Sequence, residues 1–397
     1  MNSYIKPAER TKDIKYAVRD IILIAKKAAS QGKKMLYLNI GDPINFDFKT
    51  PHHIVEAACS AMKDGFTGYS PSSGIDEAIE SIKNEAGRKG IERIQDVFIT
   101  NGGSEAIEIA LTSLVNPDEN VLVPSPGYPL YTAVLTKLGA GINPYYLDEE
   151  NDWQPDINDI KRKIDKNTKA IILINPNNPT GAVYTRETLV KIIDLALEHN
   201  LVIFSDEIYD KLVFDAEEHI STASISKEAA ILTFGGLSKS YLSPGLRIGW
   251  CVVSGKEANL GDYCRAMQKL TRARLCANHP EQYAIKSALE GDQSHIKEAN
   301  AKLKKRANIT YQMLNAIPNI RCVKPRGAFY AFPKIDVPVS DQEFVSDLIH
   351  ETGVVVVHGG GFGQKPNTKH FRIVFLPEEN ILKEAYEKIR QFMAKYK

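Results

Sequence analysis

Apolar runs alternate with amphipathic segments through the middle of the chain, from about residue 50 to residue 280. The amphipathic segments have helical spacing, as in Arg186–His199. The short, β-branched apolar runs between them predict strands at Val97–Thr100, Val121–Pro124, Ala170–Ile174, Leu201–Phe204, Ala230–Phe234 and Ile248–Val253. Apolar strands that alternate with helices indicate an α/β fold, with a large domain whose mostly parallel sheet is covered by helices on both faces.

The two ends of the chain show a different pattern. Residues 16–31 predict an amphipathic helix that ends at Gly32, and Leu36–Ile40 predicts a short strand. After about residue 285 the predicted order is a charged helix at Gln293–Ala316, the segment Val323–Phe332, a helix near 341–351, strands at Val354–Val357 and Phe371–Phe375, and a C-terminal helix. These elements indicate a smaller α+β domain.

Composition excludes several classes of partner. The chain has 397 residues and is 43% hydrophobic, which is more than one domain needs to build a core. With 50 Lys and Arg against 49 Asp and Glu, the net charge of +1 leaves no excess for nucleic acid or an anionic membrane. The N-terminus has no signal-peptide core, and no apolar run approaches membrane-spanning length.

Cysteine and histidine usage narrows the picture further. The five cysteines include no CxxC pair, which indicates reduced thiols in the cytoplasm. The nine histidines show no metal-ligand spacing. We therefore expect a cytoplasmic protein without a metal site.

One lysine occupies an unusual place in this pattern. Lys239 lies in a turn of small residues, Gly235–Ser240, between two predicted strands, and Arg247 follows eight residues later at the start of the second strand. A lysine there is poorly placed for solubility but well placed to form an imine with a carbonyl compound. The planar fork of the arginine suits a phosphate or a carboxylate.

Polar segments also follow four other predicted strands, at Thr100–Ala106, Pro126–Tyr128, Asn175–Gly181 and Ser205–Tyr209. Ligands on parallel sheets bind at the carboxyl ends of the strands, which is where these segments fall. The pattern therefore predicts one ligand site built from several loops.

Three of these segments also allow a plainer interpretation, whereas a structural turn alone would not need the rigid polar residues of Asn175–Gly181. Gly103 and Ser104 open a predicted helix, whose free N–H groups and dipole favour an anion, but an ordinary tight turn with Ser104 as N-cap fits too. Tyr128 could lie on a flat heteroaromatic ligand or be a half-buried loop tyrosine. Asp206, at a buried strand end, is costly unless it meets a cation, although it could also cap a helix.

In this order, and over essentially the whole chain, these segments resemble the pyridoxal-phosphate-dependent class I and II aminotransferases of fold type I. Asn175–Gly181 is similar to the family's NPxNPTG motif, and residues 235–250 to its lysine-bearing motif. The resemblance implies that Lys239 binds pyridoxal 5'-phosphate covalently as a Schiff base (an aldimine) and later moves a proton between substrate and cofactor.

Further roles are implied by the same resemblance. Asp206 matches the aspartate that faces the pyridine nitrogen, Tyr209 and Asn178 match the residues that bond the phenolic oxygen, and Tyr128 matches the stacking aromatic. The residues that match phosphate ligands are Gly103, Ser104, Ser238 and Arg247. Three residues before the lysine the family often has a serine and this chain has Gly236, so we expect Ser238 to carry more of that contact.

The substrate side of the resemblance centres on Arg372, an arginine inside the apolar run Phe371–Phe375. Such an arginine is either at an edge or buried with an anion, and it matches the residue that clamps the substrate α-carboxylate. Asn178 and the backbone of Gly41 are the further expected contacts. Tyr69 matches a tyrosine that reaches the phosphate in the neighbouring subunit, which implies a homodimer with shared active sites.

The resemblance also implies a domain division. Residues 1–47 and 288–397 would form a discontinuous small domain, and residues 48–287 the large cofactor-binding domain. In that arrangement the large domain is inserted between the two halves of the small one.

Three segments look most like alanine (glutamate–pyruvate) aminotransferases: Tyr16–Arg19, Arg274–Cys276 and Gly361–Gln364. They imply reversible amino transfer between L-alanine and 2-oxoglutarate, with Tyr16 and Arg19 as substrate contacts and Arg19 facing the distal carboxylate. Aspartate and aromatic amino acids are alternative donors.

Other classes of protein are a pyridoxal-phosphate lyase or decarboxylase, an aminotransferase-like regulator, and a hydrolase using Ser238 and Lys239. A regulator would normally carry a basic DNA-binding module, which the sequence does not show. The hydrolase would leave the other motifs unexplained.

One motif has no assigned role in this interpretation. Gly359–Gly363, with four glycines and Phe362, looks like a phosphate loop, but it precedes no predicted helix and better phosphate groups are available. We expect a mobile turn near the substrate entrance.

Overall fold

The computed structural model describes residues 5–14, 17–214 and 218–396, with the side chains of residues 17–20 left out. The α-helices are α1 Ala17–Ser30, α2 His52–Lys63, α3 Asp76–Arg88, α4 Gly103–Leu114, α5 Pro129–Leu138, α6 Ile157–Lys163, α7 Arg186–Glu198, α8 Glu257–Ala273, α9 His279–Glu290, α10 Ser294–Asn315, α11 Asp341–Thr352 and α12 Glu379–Met393. The strands are β1 Leu36–Tyr37, β2 Ile94–Thr100, β3 Asn120–Ser125, β4 Gly141–Asp148, β5 Gln154–Pro155, β6 Thr168–Ile174, β7 Val202–Asp206, β8 Ile231–Gly236, β9 Gly249–Ser254, β10 Ile320–Arg321, β11 Tyr330–Ala331, β12 Lys334–Ile335, β13 Val354–Val355, β14 Val357–His358 and β15 Phe371–Val374.

The largest sheet in the described residues has eight strands in the order β2-β9-β8-β7-β6-β3-β4-β5. Neighbours from β4 through β3, β6 and β7 to β8 are parallel. Strand β9 runs antiparallel to both β8 and β2, and the short β5 runs antiparallel to β4. The predicted α/β class with a mostly parallel sheet is therefore confirmed.

The central strands of this sheet are apolar because both faces are covered. In β6, Ile171 and Leu173 belong to one buried cluster, which also takes in side chains of α3, α7 and α9. Ala170, Ile172 and Ile174 belong to a second cluster with side chains of α4, α5 and α8. Successive residues of a strand point to opposite faces, so a central strand contributes side chains to both clusters. Its sequence therefore shows no alternation of apolar and polar residues.

The N-terminal segment packs with the C-terminal elements. Strand β1 pairs in parallel with β13, where Leu36 lies opposite Val354, and helix α1 packs against α11. Asp47 accepts a hydrogen bond from the buried guanidinium of Arg306 in α10, at 2.8 Å. The proposed boundaries of the two domains, at 47/48 and 287/288, stay a prediction.

The elements differ from the predicted ones at a few places with identifiable causes. Strand β4 was not predicted, because Asn143 and Pro144 interrupt its apolar pattern and six of its eight residues are at least partly exposed. The run Val354–Val357 divides into β13 and β14, because the first pairs with β1 and the second with β15. No helix in the described part of the chain combines the length and apolarity needed to cross a membrane.

Candidate active site

The loops at the carboxyl edge of the large sheet surround a cavity of about 720 Å³. Strand β9 is antiparallel, so its amino end, which follows Arg247, lies at the same edge as the carboxyl end of β8, with Gly236 opposite Gly249. The predicted site residues that line the cavity are Gly41, Gly103, Ser104, Tyr128, Asn178, Asp206, Tyr209, Ser238, Lys239, Arg247 and Arg372. The topology thus brings motifs from distant parts of the chain to one place.

Lys239 reaches into this cavity from the turn between β8 and β9. Its Nζ donates a hydrogen bond to the Gly41 carbonyl oxygen at 2.7 Å. Burial lowers its pKa to about 8, and the guanidinium groups of Arg372 and Arg247 act in the same direction against the opposing carboxylates of Asp42 and Asp206. A substantial fraction of the amine is therefore neutral near physiological pH.

The turn that carries Lys239 is hydrogen-bonded to the ion pair of Asp210 and Lys89. Ser240 donates its hydroxyl hydrogen to Asp210 Oδ1 at 3.0 Å. The other carboxylate oxygen of Asp210 lies 2.5 Å from Lys89 Nζ. Because both groups of this pair are well shielded, the turn has a fixed anchor on the side away from the cavity.

Asp206, the last residue of β7, is 6% exposed. Burial raises the pKa of its carboxyl group to about 6, although the Tyr131 hydroxyl, which donates to Oδ2 at 3.0 Å, acts in the opposite direction. The backbone N–H of Ile208 approaches Oδ1 at 3.3 Å. A carboxylate held this way is suited to a cationic group of a ligand in the cavity, which would repay its desolvation.

A second cluster of buried side chains lines the same cavity as Lys239. Arg372 donates to Asn178 Oδ1 at 3.2 Å and to the Asn39 carbonyl oxygen at 2.7 Å. The hydroxyl groups of Tyr209 and Tyr330 lie 2.9 Å apart. Burial raises the pKa of Tyr209, so its hydroxyl keeps its proton and can donate to an anionic oxygen.

The start of helix α4 forms a cradle with Arg247. Gly102 has φ +83°, and a Cβ there would lie 2.3 Å from Arg247 Nη2. The guanidinium therefore rests directly on the backbone that leads into the helix, and Arg247 Nη1 donates to the Pro244 carbonyl oxygen at 3.0 Å. Helix N–H groups beside an arginine fork form a site for a doubly charged anion such as phosphate.

The predicted roles of three site residues are not tested by the described residues. Tyr69 is 82% exposed and does not line it. Tyr16 lies outside the described residues, and Arg19 belongs to helix α1 but its side chain is among those left out. Their predicted roles stay predictions.

Tyr131, Tyr330 and Asp210 were not predicted to contribute to the site. Tyr131 contacts Asp206 and Tyr330 contacts Tyr209 across 75 and 121 positions of sequence, and no local motif marks either pair. The position of Tyr131 three residues after Tyr128, one turn along helix α5, is the only hint that the sequence offers.

Comparison with known proteins identifies the family. Residues 33–389 match the model of the family described as aminotransferase class I and II. The chain is 42% identical over 382 residues, 94% of each chain, to the glutamate-pyruvate aminotransferase AlaA of Haemophilus influenzae. It is 39% identical over 399 residues, 98% of this chain and 92% of the other, to the alanine aminotransferase of Mycobacterium tuberculosis.

A solved structure of an alanine aminotransferase from Pyrococcus furiosus superposes on this chain with a TM-score of 0.95 and 42% identity, covering 98% of this chain and all of that one. The chain therefore belongs to the class I and II aminotransferases. Enzymes of this family act on amino and oxo acids and in general depend on pyridoxal phosphate.

The cavity has the chemical features that this cofactor requires. The anion cradle at Gly102 and Arg247 suits a phosphate, and a substituent on Gly102 would fill it. Asp206 suits a protonated ring nitrogen, and Lys239 is an amine of lowered pKa in the same cavity. In the described residues, no group of three or more His, Cys, Asp or Glu side chains is placed to hold a metal ion.

The lowered pKa of Lys239 predicts a specific pH dependence. In protein freed of any cofactor, trace acetylation of Lys239 should rise as pH increases and reach half its maximum near pH 8, because only the neutral amine reacts. Quantitative mass spectrometry of the Lys239 peptide measures this midpoint. Asp42→Asn, which removes the carboxylate that opposes the shift, should move the midpoint lower. A midpoint near the ordinary lysine value of 10.5 would contradict this description of the site.

Proposed function

We propose that this aminotransferase uses pyridoxal 5'-phosphate bound to Lys239 and transfers an amino group reversibly between L-alanine and 2-oxoglutarate. The observation that carries the proposal is the arrangement of Lys239, Asp206 and Arg372 around one cavity. The choice of alanine as substrate is supported by the relatives, which are named for alanine or for glutamate and pyruvate.

The residues proposed to hold the cofactor all line the same cavity. Tyr128 would lie on the ring, Asn178 and Tyr209 would bond the phenolic oxygen, and Asp206 would hold the proton on the ring nitrogen. The phosphate would be bound by Gly103, Ser104, Ser238 and Arg247. When bound, the cofactor supplies an aldehyde that captures the amine and an aromatic ring that accepts the electrons of the broken bond.

Lys239 is also proposed as the group that moves the proton. With a pKa near 8 its Nζ is a competent base close to neutral pH, whereas an ordinary lysine is almost fully protonated there. It would take the proton from the substrate Cα and return it to the cofactor carbon. The fixed turn behind it, anchored through Ser240 and Asp210, keeps the amine within reach of both atoms.

Arg372 is proposed to bind the α-carboxylate that amino and oxo acids share. Its guanidinium is 3% exposed and already oriented by Asn178 and Asn39, so little side-chain entropy remains to be lost on binding. Ile22, Ile40 and Leu130 also line the cavity, and they suit a short apolar substituent such as the methyl group of alanine. Tyr16 and Arg19 are the proposed contacts for the remainder of the substrate.

A homodimer with shared active sites is part of the proposal. Tyr69 is 82% exposed and Phe66, three residues earlier, is 40% exposed, so the segment offers aromatic surface to a second copy of the chain. Tyr69 would reach the phosphate bound by the partner. A cytoplasmic location stays a prediction from the cysteine pattern.

The direct test of the proposed reaction is a donor panel. Alanine, aspartate and tyrosine would each be supplied with 2-oxoglutarate, and glutamate would be measured. We expect alanine to give the highest kcat/KM. A preference for aspartate or tyrosine would reject the substrate assignment, and ammonia or carbon dioxide released without an acceptor would reject the transfer reaction itself in favour of a lyase or decarboxylase.

The role of Asp206 predicts a large effect of removing its charge. Asp206→Asn would break the buried charge pair that Asp206 is proposed to form with the protonated ring nitrogen, which is worth about 3 kcal/mol or more. At about 1.4 kcal/mol per factor of ten, turnover should fall at least about a hundredfold. Tyr131→Phe, which removes only the hydroxyl that donates to Asp206, is the matched control and should cost about tenfold or less. A loss of tenfold or less in Asp206→Asn would remove the proposed role.

The phosphate cradle predicts a sharp contrast between two nearby glycines. Gly102→Ala would place its Cβ 2.3 Å from Arg247 Nη2 and force a side chain into positive φ. Strain of about 1–3 kcal/mol should weaken binding of pyridoxal phosphate about tenfold or more. Gly245→Ala, whose Cβ meets nothing within 4 Å, is the control and should bind normally. Equal affinities of the two variants, measured by equilibrium absorbance titration, would contradict the assignment.

A further inference from the structure

The glycine-rich turn Gly359–Gly363 has a role that the cofactor site does not account for. We infer that this turn is a substrate-positioning element, which holds the ring of Phe362 against the guanidinium of Arg372 and so fixes the fork that receives the carboxylate. The inference rests on the proposed role of Arg372 and names a further residue, Phe362, through which that role depends on the turn.

The contact itself is close and shielded from water. The Arg372 guanidinium carbon lies 4.6 Å from the centre of the Phe362 ring and 4.8 Å from the centre of the Tyr330 ring. All three side chains are buried, with Phe362 4% exposed. Cation–π contacts are strongest in such desolvated places. Two rings and two hydrogen bonds therefore restrict a side chain that would otherwise sample many rotamers.

The turn is anchored to its surroundings, contrary to the expectation of a mobile segment. The carbonyl oxygen of Phe362 accepts a hydrogen bond from the backbone N–H of Gly127 at 2.8 Å. Asp341 Oδ2, at the start of α11, accepts from the backbone N–H of Gly360 at 2.7 Å and from Gln364 Nε2 at 3.0 Å. Hydrogen bonds thus connect the turn to the loop that precedes Tyr128 and to helix α11.

A further set of contacts connects the turn to the strand that carries Arg372. Gln364 Oε1 lies 3.1 Å from His370 Nδ1, and His370 Nε2 lies 3.3 Å from Glu149 Oε2. His370 is 2% exposed and precedes Arg372 by two residues. The segment that leads into β15 therefore contacts the residues on both sides of Phe362, through Gly359 and Gln364.

Close packing and backbone conformation explain two of the four glycines of this turn, Gly359 and Gly363, without a phosphate. A Cβ on Gly359 would lie 2.4 Å from Gln364 Oε1 and 2.8 Å from the His370 carbonyl oxygen. Gly363 has φ +69°, where a side chain is strained, and its Cβ would lie 3.1 Å from Ser125 Oγ. The glycine motif is what allows Phe362 to be held so near to Arg372.

The kinetic consequence follows from what Arg372 is proposed to bind. Both the amino acid and the oxo acid carry the α-carboxylate, so a loosened guanidinium should weaken both substrates alike. The proton transfer at Cα takes place at Lys239 and should change little. Loss of the Phe362 ring is therefore expected to raise KM and leave kcat nearly unchanged.

The test compares Phe362→Leu with Phe362→Tyr in the holoenzyme. Phe362→Leu keeps an apolar side chain without the ring and should raise KM about tenfold for alanine and for 2-oxoglutarate, with kcat within about threefold. Phe362→Tyr keeps the ring and should restore both KM values to within about threefold of the unmodified enzyme. Calorimetric titration of 2-oxoglutarate should show the same loss of affinity without turnover.

Two control variants separate positioning from general destabilisation. Phe98→Leu removes a fully buried ring of the sheet core that does not line the cavity, and it should lower the melting temperature while both KM values stay unchanged. Asp341→Asn weakens the anchor of the turn at a partly exposed site and should raise both KM values about threefold. If Phe362→Leu does not fold, the KM values of Asp341→Asn test the role of the turn.

Arg372→Lys, measured alongside, distinguishes failure of the role of the turn from failure of the proposed carboxylate site. If Arg372→Lys raises both KM values while Phe362→Leu and Asp341→Asn leave them within about twofold of the unmodified enzyme, the role of the turn is overturned and the proposed function stands. If Arg372→Lys also leaves both KM values unchanged, the proposed carboxylate site is wrong. A fall in kcat at constant KM in Phe362→Leu would also overturn the inference.

Discussion

Burial of opposite ionisable groups around one cavity is the constraint on which this site depends. Removal from water disfavours the charged form of each group, so the pKa of Lys239 falls to about 8 and that of Asp206 rises to about 6. The Lys239 amine can therefore lose and regain a proton near neutral pH, as its proposed role requires. The desolvated Asp206 carboxylate is stabilised by a cationic partner, such as the ring nitrogen that it is proposed to face.

The fold provides that burial by converging loops and not by a single motif. Four parallel strand pairs place their carboxyl ends along one edge, and the antiparallel β9 returns Arg247 to the same edge. Strand β15 and its neighbour β11 add Arg372 and Tyr330 to the lining of the cavity, and the Phe362 ring lies against Arg372.

Much of this arrangement could be predicted from the sequence, for a physical reason. Residues such as Lys239, Asp206 and Asn178 follow apolar strands directly, so the strand pattern fixes both their position and their edge of the sheet. Arg372 was recognisable because a charged residue inside an apolar strand needs a special environment. Strand β4 was not predicted, since Pro144 conceals its pattern.

The contacts that support the site residues were beyond prediction. Tyr131, Tyr330 and Phe362 act through packing with residues far away in the chain, and a single buried aromatic has no local pattern that separates this use from ordinary core packing. The glycine turn at 359–363 shows the same limit. Its composition suggested a phosphate loop or a mobile turn, and only the position of its neighbours reveals why glycine is needed.

The most direct measurement of the central claim is the site of covalent attachment. Purified protein saturated with pyridoxal phosphate would be reduced with borohydride, digested, and its modified lysine located by mass spectrometry. The account predicts a single stoichiometric modification at Lys239, the amine that lies in the cavity with Asp206 and Arg372. Modification at another lysine, or none at Lys239, would contradict it.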